Sequence, residues 1–216
     1  MLKKERLGGN VASSLIHIAV ANEINKKIKR DRNKLLIGTI APDISKLIAQ
    51  SKVISHFFDS EERKIPNIEK FLDKYKDYLY DDFVMGYYIH LYTDYLWIEY
   101  FLENIDYNNV ITKLDCTKLI CDSDTFVKYI YNDYTNINSD LINIYDLDLE
   151  IFYNDIPDIE YIINEIPMDK LNIIVDNAGV IIANSKENKA FIFDIKNVER
   201  FINLSVKLIL SEIEKL

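Results

Sequence analysis

The chain has 216 residues, 49% of them hydrophobic and 28% charged, which suffices for one sizeable core or at most two small ones. The longest apolar stretch, residues 84–102, is interrupted by His90, Asp94 and Glu99, so no segment offers the roughly 18–20 apolar residues of a membrane span. A net charge of -9, with basic character confined to the first 35 residues, argues against a nucleic-acid scaffold, which works by neutralising phosphates.

The amino terminus, MLKKERLGGNVASSLIHIAVAN, mimics a signal peptide: a basic start, an apolar centre and small residues at Ala19 and Ala21. The apolar part is broken by Ser13, Ser14 and His17, and cleavage after Ala21 would discard His17. The expectation is therefore a cytoplasmic chain, with secretion as the alternative. Apolar residues then recur at spacings of three and four, which predicts a helix over 11–28, closed by the charged run 26–32. Further helices are expected over 67–80 and 83–104. In the second half they are expected over 123–135, 158–165, 168–185 and 197–214, with Pro157 and Pro167 in first turns, where proline is tolerated.

Five glycines and four prolines are too few for a many-stranded fold, and AFIFDI at 190–195, a strand-like run without a partner, reads as a connection between helices. The expected architecture is all-α: a single-domain multi-helix bundle over 1–216, with a chemistry-bearing half at 1–104 and a helical half of unassigned role at 105–216. Cys116 and Cys121 are too few for a disulfide framework, and their four-residue separation does not match a zinc knuckle, so they read as thiols.

Chemistry concentrates in the first 94 residues, which hold all three histidines. In GYYIHLYTDYLW, His90 and Asp94 are four apart, on one helix face with their Cβ atoms about 5–6 Å apart. An imidazole and a carboxylate so placed can share a divalent cation about 2 Å from each. Taken singly, the residues have plainer readings: His17 a core histidine, His56 a turn residue, Asp43 the N-cap of the helix it begins, and His90–Asp94 a buried hydrogen bond. Together they place two carboxylates inside apolar sequence beside every imidazole in the chain, where an unpartnered carboxylate is costly. The aromatic residues around the pair, Tyr87, Tyr88, Tyr92, Tyr95, Trp97 and Phe101, read as core, with some available as an apolar wall for a lipid or a base.

The succession HIAVANEI, LLIGTIAPDI, SHFF and GYYIHLYTDYLW resembles the zinc-dependent phospholipase C family, whose fold is shared with certain single-strand nucleases. The resemblance covers about residues 14–100. It implies that His17, Asp43, His56, His90 and Asp94 are metal ligands, with Asp94 bridging one ion held with Asp43, His56 and His90 and another held with His17. It also implies a phosphoester or lipid-like small-molecule substrate, water activated by one or two Zn2+ ions, and Asp43 as the catalytic base. Three imidazoles and two carboxylates suit zinc, and another divalent transition metal fits the same donors.

The chain departs from the family in three places. Sixteen residues precede His17 where full three-metal members begin with a metal-binding tryptophan. The further histidine expected after the His-x-x-x-Asp pair falls near Glu99 or Tyr100, and the later His-x-x-x-Glu motif is absent. At least one metal site is thus expected to be missing, unless a carboxylate such as Glu99 or Glu103 replaces its ligands. This leaves a second reading, a non-catalytic, metal-stabilised helical protein. A phosphohydrolase built on adjacent His-Asp ligands ranks last, because the chain has no His-Asp dipeptide.

Overall fold

A computed structural model of the chain describes residues 12–102, 106–107, 110–183, 185 and 190–216. Its helices are α1 (Ser14–Ile28), α2 (Arg32–Ile40), the short α3 (Ile44–Leu47) and α4 (Lys52–Ser55), α5 (Ile68–Tyr75), α6 (Asp82–Leu96), α7 (Ser123–Ile144), α8 (Leu171–Ala183) and α9 (Ile195–Ile213). Helix dominates, as the sequence led us to expect.

Local chemistry sets most helix boundaries. Ser13, Asp31, Asn67, Asp81, Asp122 and Asp194 each accept a backbone N–H in the first turn of the helix they precede, which satisfies donors that would otherwise be left over. At Asp194 the cap is reciprocal, because the Asn197 side chain accepts the Asp194 N–H. Helix α1 stops at Lys29, which is left-handed (φ 53°) and returns its N–H to the Asn25 carbonyl.

The centre of the molecule is the crossing of α2 and α6. A Cβ on Gly38 would lie 2.1 Å from the Phe83 carbonyl oxygen, and one on Gly86 would lie 2.1 Å from that of Leu35. Two glycines thus let the helices meet backbone to backbone. Helix α1 packs on both, and α9 packs on α1 and α6. Further out, Trp97 is fully buried, stacked on Phe101 at 4.0 Å and edge-on to Phe193 and Phe201, which ties the first half to the last helix. One continuous apolar core runs from Ala12 to Ile209.

Several expectations are corrected. The helix expected over 83–104 is α-helical only to Leu96, and Trp97–Leu102 continues as a π-helical turn. The helix expected over 67–80 ends at Tyr75, followed by a 3-10 turn, Lys76–Tyr78. Helix α7 runs nine residues past the expected end at 135. Residues 158–165 form no helix. That segment is an extended strap across α5, pinned where Tyr75 donates to Glu165 and accepts from the Asn164 N–H, so tertiary partners replace a local ladder. Pro157 therefore opens no first turn, and Pro167 precedes the 3-10 turn Met168–Lys170.

Helix α2 was not among the expected helices: its residues from Leu35 to Ile40 are all buried, so it shows no amphipathic period. Three short strands were also not expected: Asp106–Tyr107, Val110–Thr112 and Lys118–Ile120 pair antiparallel in sequence order. Of the run 190–195, residues 190–194 are a connection, as expected, and Ile195 opens α9. Cys116 and Cys121 are thiols on the last two strands' side of the molecule, near 113–121, and are not in a disulfide. Among the described residues no helix is long and apolar enough to cross a membrane. The basic start at 1–10, the expected helix start at 11, and the positions 103–104 that include Glu103 lie outside the described residues.

Candidate metal centre

The α2–α6 crossing aims the site. His90 and Asp94 stand one turn apart on α6, with His90 Nε2 3.3 Å from Asp94 Oδ2. The close helix approach brings the Thr39 carbonyl 2.7 Å from His90 Nδ1. A carbonyl only accepts, so Nδ1 carries a proton and Nε2 is the ring nitrogen that faces Asp94.

Helix α1 brings in His17. Its ring stacks on that of His90 at 4.0 Å, and its Nε2 lies 3.1 Å from Asp94 Oδ1. The same Oδ1 accepts the Ala12 N–H at 3.0 Å, from the residue just outside α1.

His56 caps the C-terminus of α4 and is followed by Phe57 in left-handed backbone (φ 55°), a strained turn held by the packing of Phe57 against Phe71 and Tyr87. His56 Nδ1 lies 2.9 Å from Ser55 Oγ, which donates to Ser45 Oγ, which donates to the Pro42 carbonyl. That relay ends on an obligate acceptor, so it also fixes the proton on His56 Nδ1. His56 Nε2 then faces His90 Nε2 at 3.2 Å and Asp94 Oδ2 at 3.6 Å.

Asp43 closes the 3-10 turn Ala41–Asp43. It makes no side-chain cap hydrogen bond to α3, so the N-cap reading fails. Its Oδ1 instead lies 3.5 Å from His56 Nε2, 2.5 Å from Lys52 Nζ and 3.5 Å from Lys46 Nζ.

The structure therefore brings together all five residues that the sequence singled out, in two donor groups: His17, His90 and Asp94, and Asp43, His56 and His90. Within each group the ligand atoms lie within 4.8 Å of one another. His17, His56, His90 and Asp94 are fully buried and Asp43 is nearly so. Among the described residues the two ring nitrogens of His17 and Oδ2 of Asp94 have no hydrogen-bond partner, although each polar group would lose several kcal/mol if left so in an apolar interior. Ligands about 2.0–2.1 Å from a tetrahedral ion are spaced roughly 3.3 Å apart, and the pairs His17–Asp94, His90–Asp94, His56–His90 and Asp43–His56 lie 3.1, 3.3, 3.2 and 3.5 Å apart. The donors fit a divalent metal ion.

The electrostatics agree. Burial pulls His17 below its usual value, with His90 adding to the effect against the opposing pull of Asp94. Burial, then the Lys52 ammonium, lowers His56 to about 3. For the carboxylates burial acts upward, but His17 and His90 overcome it at Asp94, and Lys46, Lys52 and His56 overcome it at Asp43. Both carboxyls are held well below the usual carboxylate range. The neutral form favoured at His17 and His56 and the ionised form favoured at Asp43 and Asp94 are the states in which these groups ligate a metal.

A cleft of about 270 Å3 opens onto Asp43 and Lys46, lined by Ser13, Tyr131, Tyr134 and Asn138. The sequence did not signal these cleft residues on α7, since only the tertiary fold brings them near Asp43. Lys52 and Lys46 were also missed, although their spacings of four from His56 and three from Asp43 were visible. Tyr87 and Trp97 are core residues, and Tyr88, Tyr92 and Tyr95 line a separate surface groove together with Glu99. Among the described residues Glu99 belongs to neither donor group. No family model, curated protein or solved structure matches this chain.

Proposed function

We propose that the cluster is a zinc centre, in a fold of the phospholipase C and single-strand nuclease type, and that it hydrolyses a small phosphoester. The observation that carries the metal reading is the convergence of five buried donors in two groups whose ligand atoms lie within 4.8 Å of one another, with both ring nitrogens of His17 and Oδ2 of Asp94 lacking a hydrogen-bond partner among the described residues. Buried polar atoms left without partners are costly, and a bound cation would satisfy them.

A zinc ion bound there supplies Lewis acidity to a phosphoryl oxygen and acidifies water to near neutrality. The chain's own residues do the rest. Thr39 and Ser55 orient the imidazoles, as outer partners of metal-binding histidines do. Lys46, half-exposed at the cleft, is placed to attract phosphoryl oxygens, and Tyr131 and Tyr134 offer ring surface to the remainder of the substrate. Asp43 borders the same cleft and is positioned to take a proton from the attacking water. A cleft of about 270 Å3 suits a compact headgroup or nucleotide-sized diester and is too small for a folded nucleic acid.

A second reading, a metal-stabilised protein without catalysis, is favoured by one observation. The ion pairs of Asp43 with Lys46 and Lys52 hold its carboxyl low and make it a weak base. Asp43→Asn separates the two. Hydrolysis of a chromogenic phosphodiester by the wild type, falling about 100-fold or more in the variant while bound metal stays, is the catalytic result. Absence of hydrolysis in wild type, with unfolding on metal removal, is the structural one.

A further inference from the structure

The two donor groups are not equivalent. Asp94 pairs with imidazoles alone: His17 Nε2 lies 3.1 Å from Oδ1, and His90 Nε2 lies 3.3 Å from Oδ2. Among the described residues no lysine or arginine forms an ion pair with it. Asp43 and His56, in the other group, both face one ammonium. Lys52 Nζ lies 2.5 Å from Asp43 Oδ1 and 3.2 Å from His56 Nε2.

His56 Nε2 is an acceptor, because its proton is held on Nδ1 by the Ser55–Ser45–Pro42 relay. Lys52 therefore donates to the oxygen and the nitrogen that a metal in this group would need. Its side chain is 15% exposed, against 38% for Lys46, so it is the lysine that reaches inward. Position also matters: Lys52 opens α4 and His56 caps it, and residues four apart on a helical turn lie on one face. The turn that delivers the histidine delivers the ammonium with it.

Charge supports the same conclusion. Both lysines, Lys46 and Lys52, pair with Asp43, whereas among the described residues Asp94 has no lysine or arginine against it. One divalent ion at the Asp94 group is compatible with that distribution. A second, against Asp43, would have to displace the Lys52 ammonium or bind in contact with it.

We propose that the Lys52 ammonium is a built-in cation occupying the Asp43–His56 half of the cluster, so that the protein holds one divalent ion, at His17, His90 and Asp94. This rests on the metal-centre reading above. It makes Lys52 a residue that sets metal stoichiometry, and it accounts for a five-ligand cluster in a chain short of further ligands.

The test is metal stoichiometry. The full chain and its Lys52→Met variant, which keeps the side chain's length without its charge, are dialysed against excess Zn2+. Bound zinc per chain is then measured by elemental mass spectrometry, and folding is checked by circular dichroism. One equivalent in wild type, two in Lys52→Met, and one again in the double variant Lys52→Met, His56→Ala is the expected result. Should Lys52→Met fail to fold, Lys52→Gln replaces it. Two equivalents in wild type, or one in a folded Lys52 variant, would overturn the inference and leave the metal centre standing. No zinc in any of them would remove the metal centre and the inference with it.

Discussion

Gly86→Ala is expected to damage both the fold and the site, because the added methyl has nowhere to go. Its Cβ would lie 2.1 Å from the Leu35 carbonyl oxygen and 2.9 Å from the Thr39 nitrogen, both backbone atoms of α2. An ordinary contact needs about 3.4 Å or more, so α2 and α6 must separate by about 1 Å at their crossing. Overpacking of side chains costs typically 1–3 kcal/mol, and a clash with backbone belongs at the upper end of that range. About 3 kcal/mol lowers Tm by roughly 6–12 °C in a chain of this size. The same separation lengthens the 2.7 Å contact of His90 Nδ1 with the Thr39 carbonyl, and loss of such an outer partner weakens metal binding about 10- to 100-fold. Gly179→Ala on α8 is the internal control. There a Cβ meets its nearest atom, the Phe152 carbonyl oxygen, at 3.6 Å, so the gain in helix propensity is expected to stabilise by roughly 0.4–1 kcal/mol. Thermal unfolding by circular dichroism and zinc titration of the three proteins decide the matter. A Gly86→Ala protein that melts within about 2 °C of wild type and binds zinc equally well would refute the close crossing.

Two further outcomes follow from buried charge. Metal-free protein is expected to lose stability as pH falls from about 6.5 toward 3. His17 and His56 stay neutral in the fold but take up protons when unfolded, and Asp43 and Asp94 extend the loss to still lower pH. The His56 shift, from 6.5 to about 3, makes this loss on the order of a few kcal/mol, readable as urea midpoints between pH 7 and 4; a flat profile would contradict it. Asp133, fully buried on α7, accepts the backbone N–H groups of Phe191, Ile192 and Phe193 at 2.9, 2.7 and 3.1 Å. Asp133→Ala strands three donors and is expected to cost about 3–5 kcal/mol by urea denaturation, with Asp133→Asn less severe; a cost under about 1 kcal/mol would show that the connection finds other partners.

How far the sequence could be read depended on where each residue's partners lie. Helices with one wet face, such as α9, were legible, and so was the clustering of His17, Asp43, His56, His90 and Asp94, because His90 and Asp94 share a helix turn and the remaining three sit in short motifs. Helix α2 was not legible, since burial on all sides leaves no apolar period to detect. The strap at 158–165 misled for the opposite reason. It has helical apolar spacing at Ile159 and Ile163, yet its backbone is held by Tyr75 of α5. The glycine crossing and the Lys52 ammonium were invisible because each acts through a partner that only the fold supplies. Asp43 lies beside His56, as a shared site requires, but its ion pairs with two lysines were not expected from the sequence.

Metal content bears most directly on the central claim that the buried cluster of His17, Asp43, His56, His90 and Asp94 holds a metal ion. The protein is purified without chelator or affinity metal, beside a His90→Ala, Asp94→Ala variant, and both are assayed by elemental mass spectrometry. Near-stoichiometric zinc in the wild type, absent from the variant, is expected. A wild-type protein that carries no divalent metal and takes up none on adding zinc would contradict the claim, and would return the five residues to a buried hydrogen-bonding cluster.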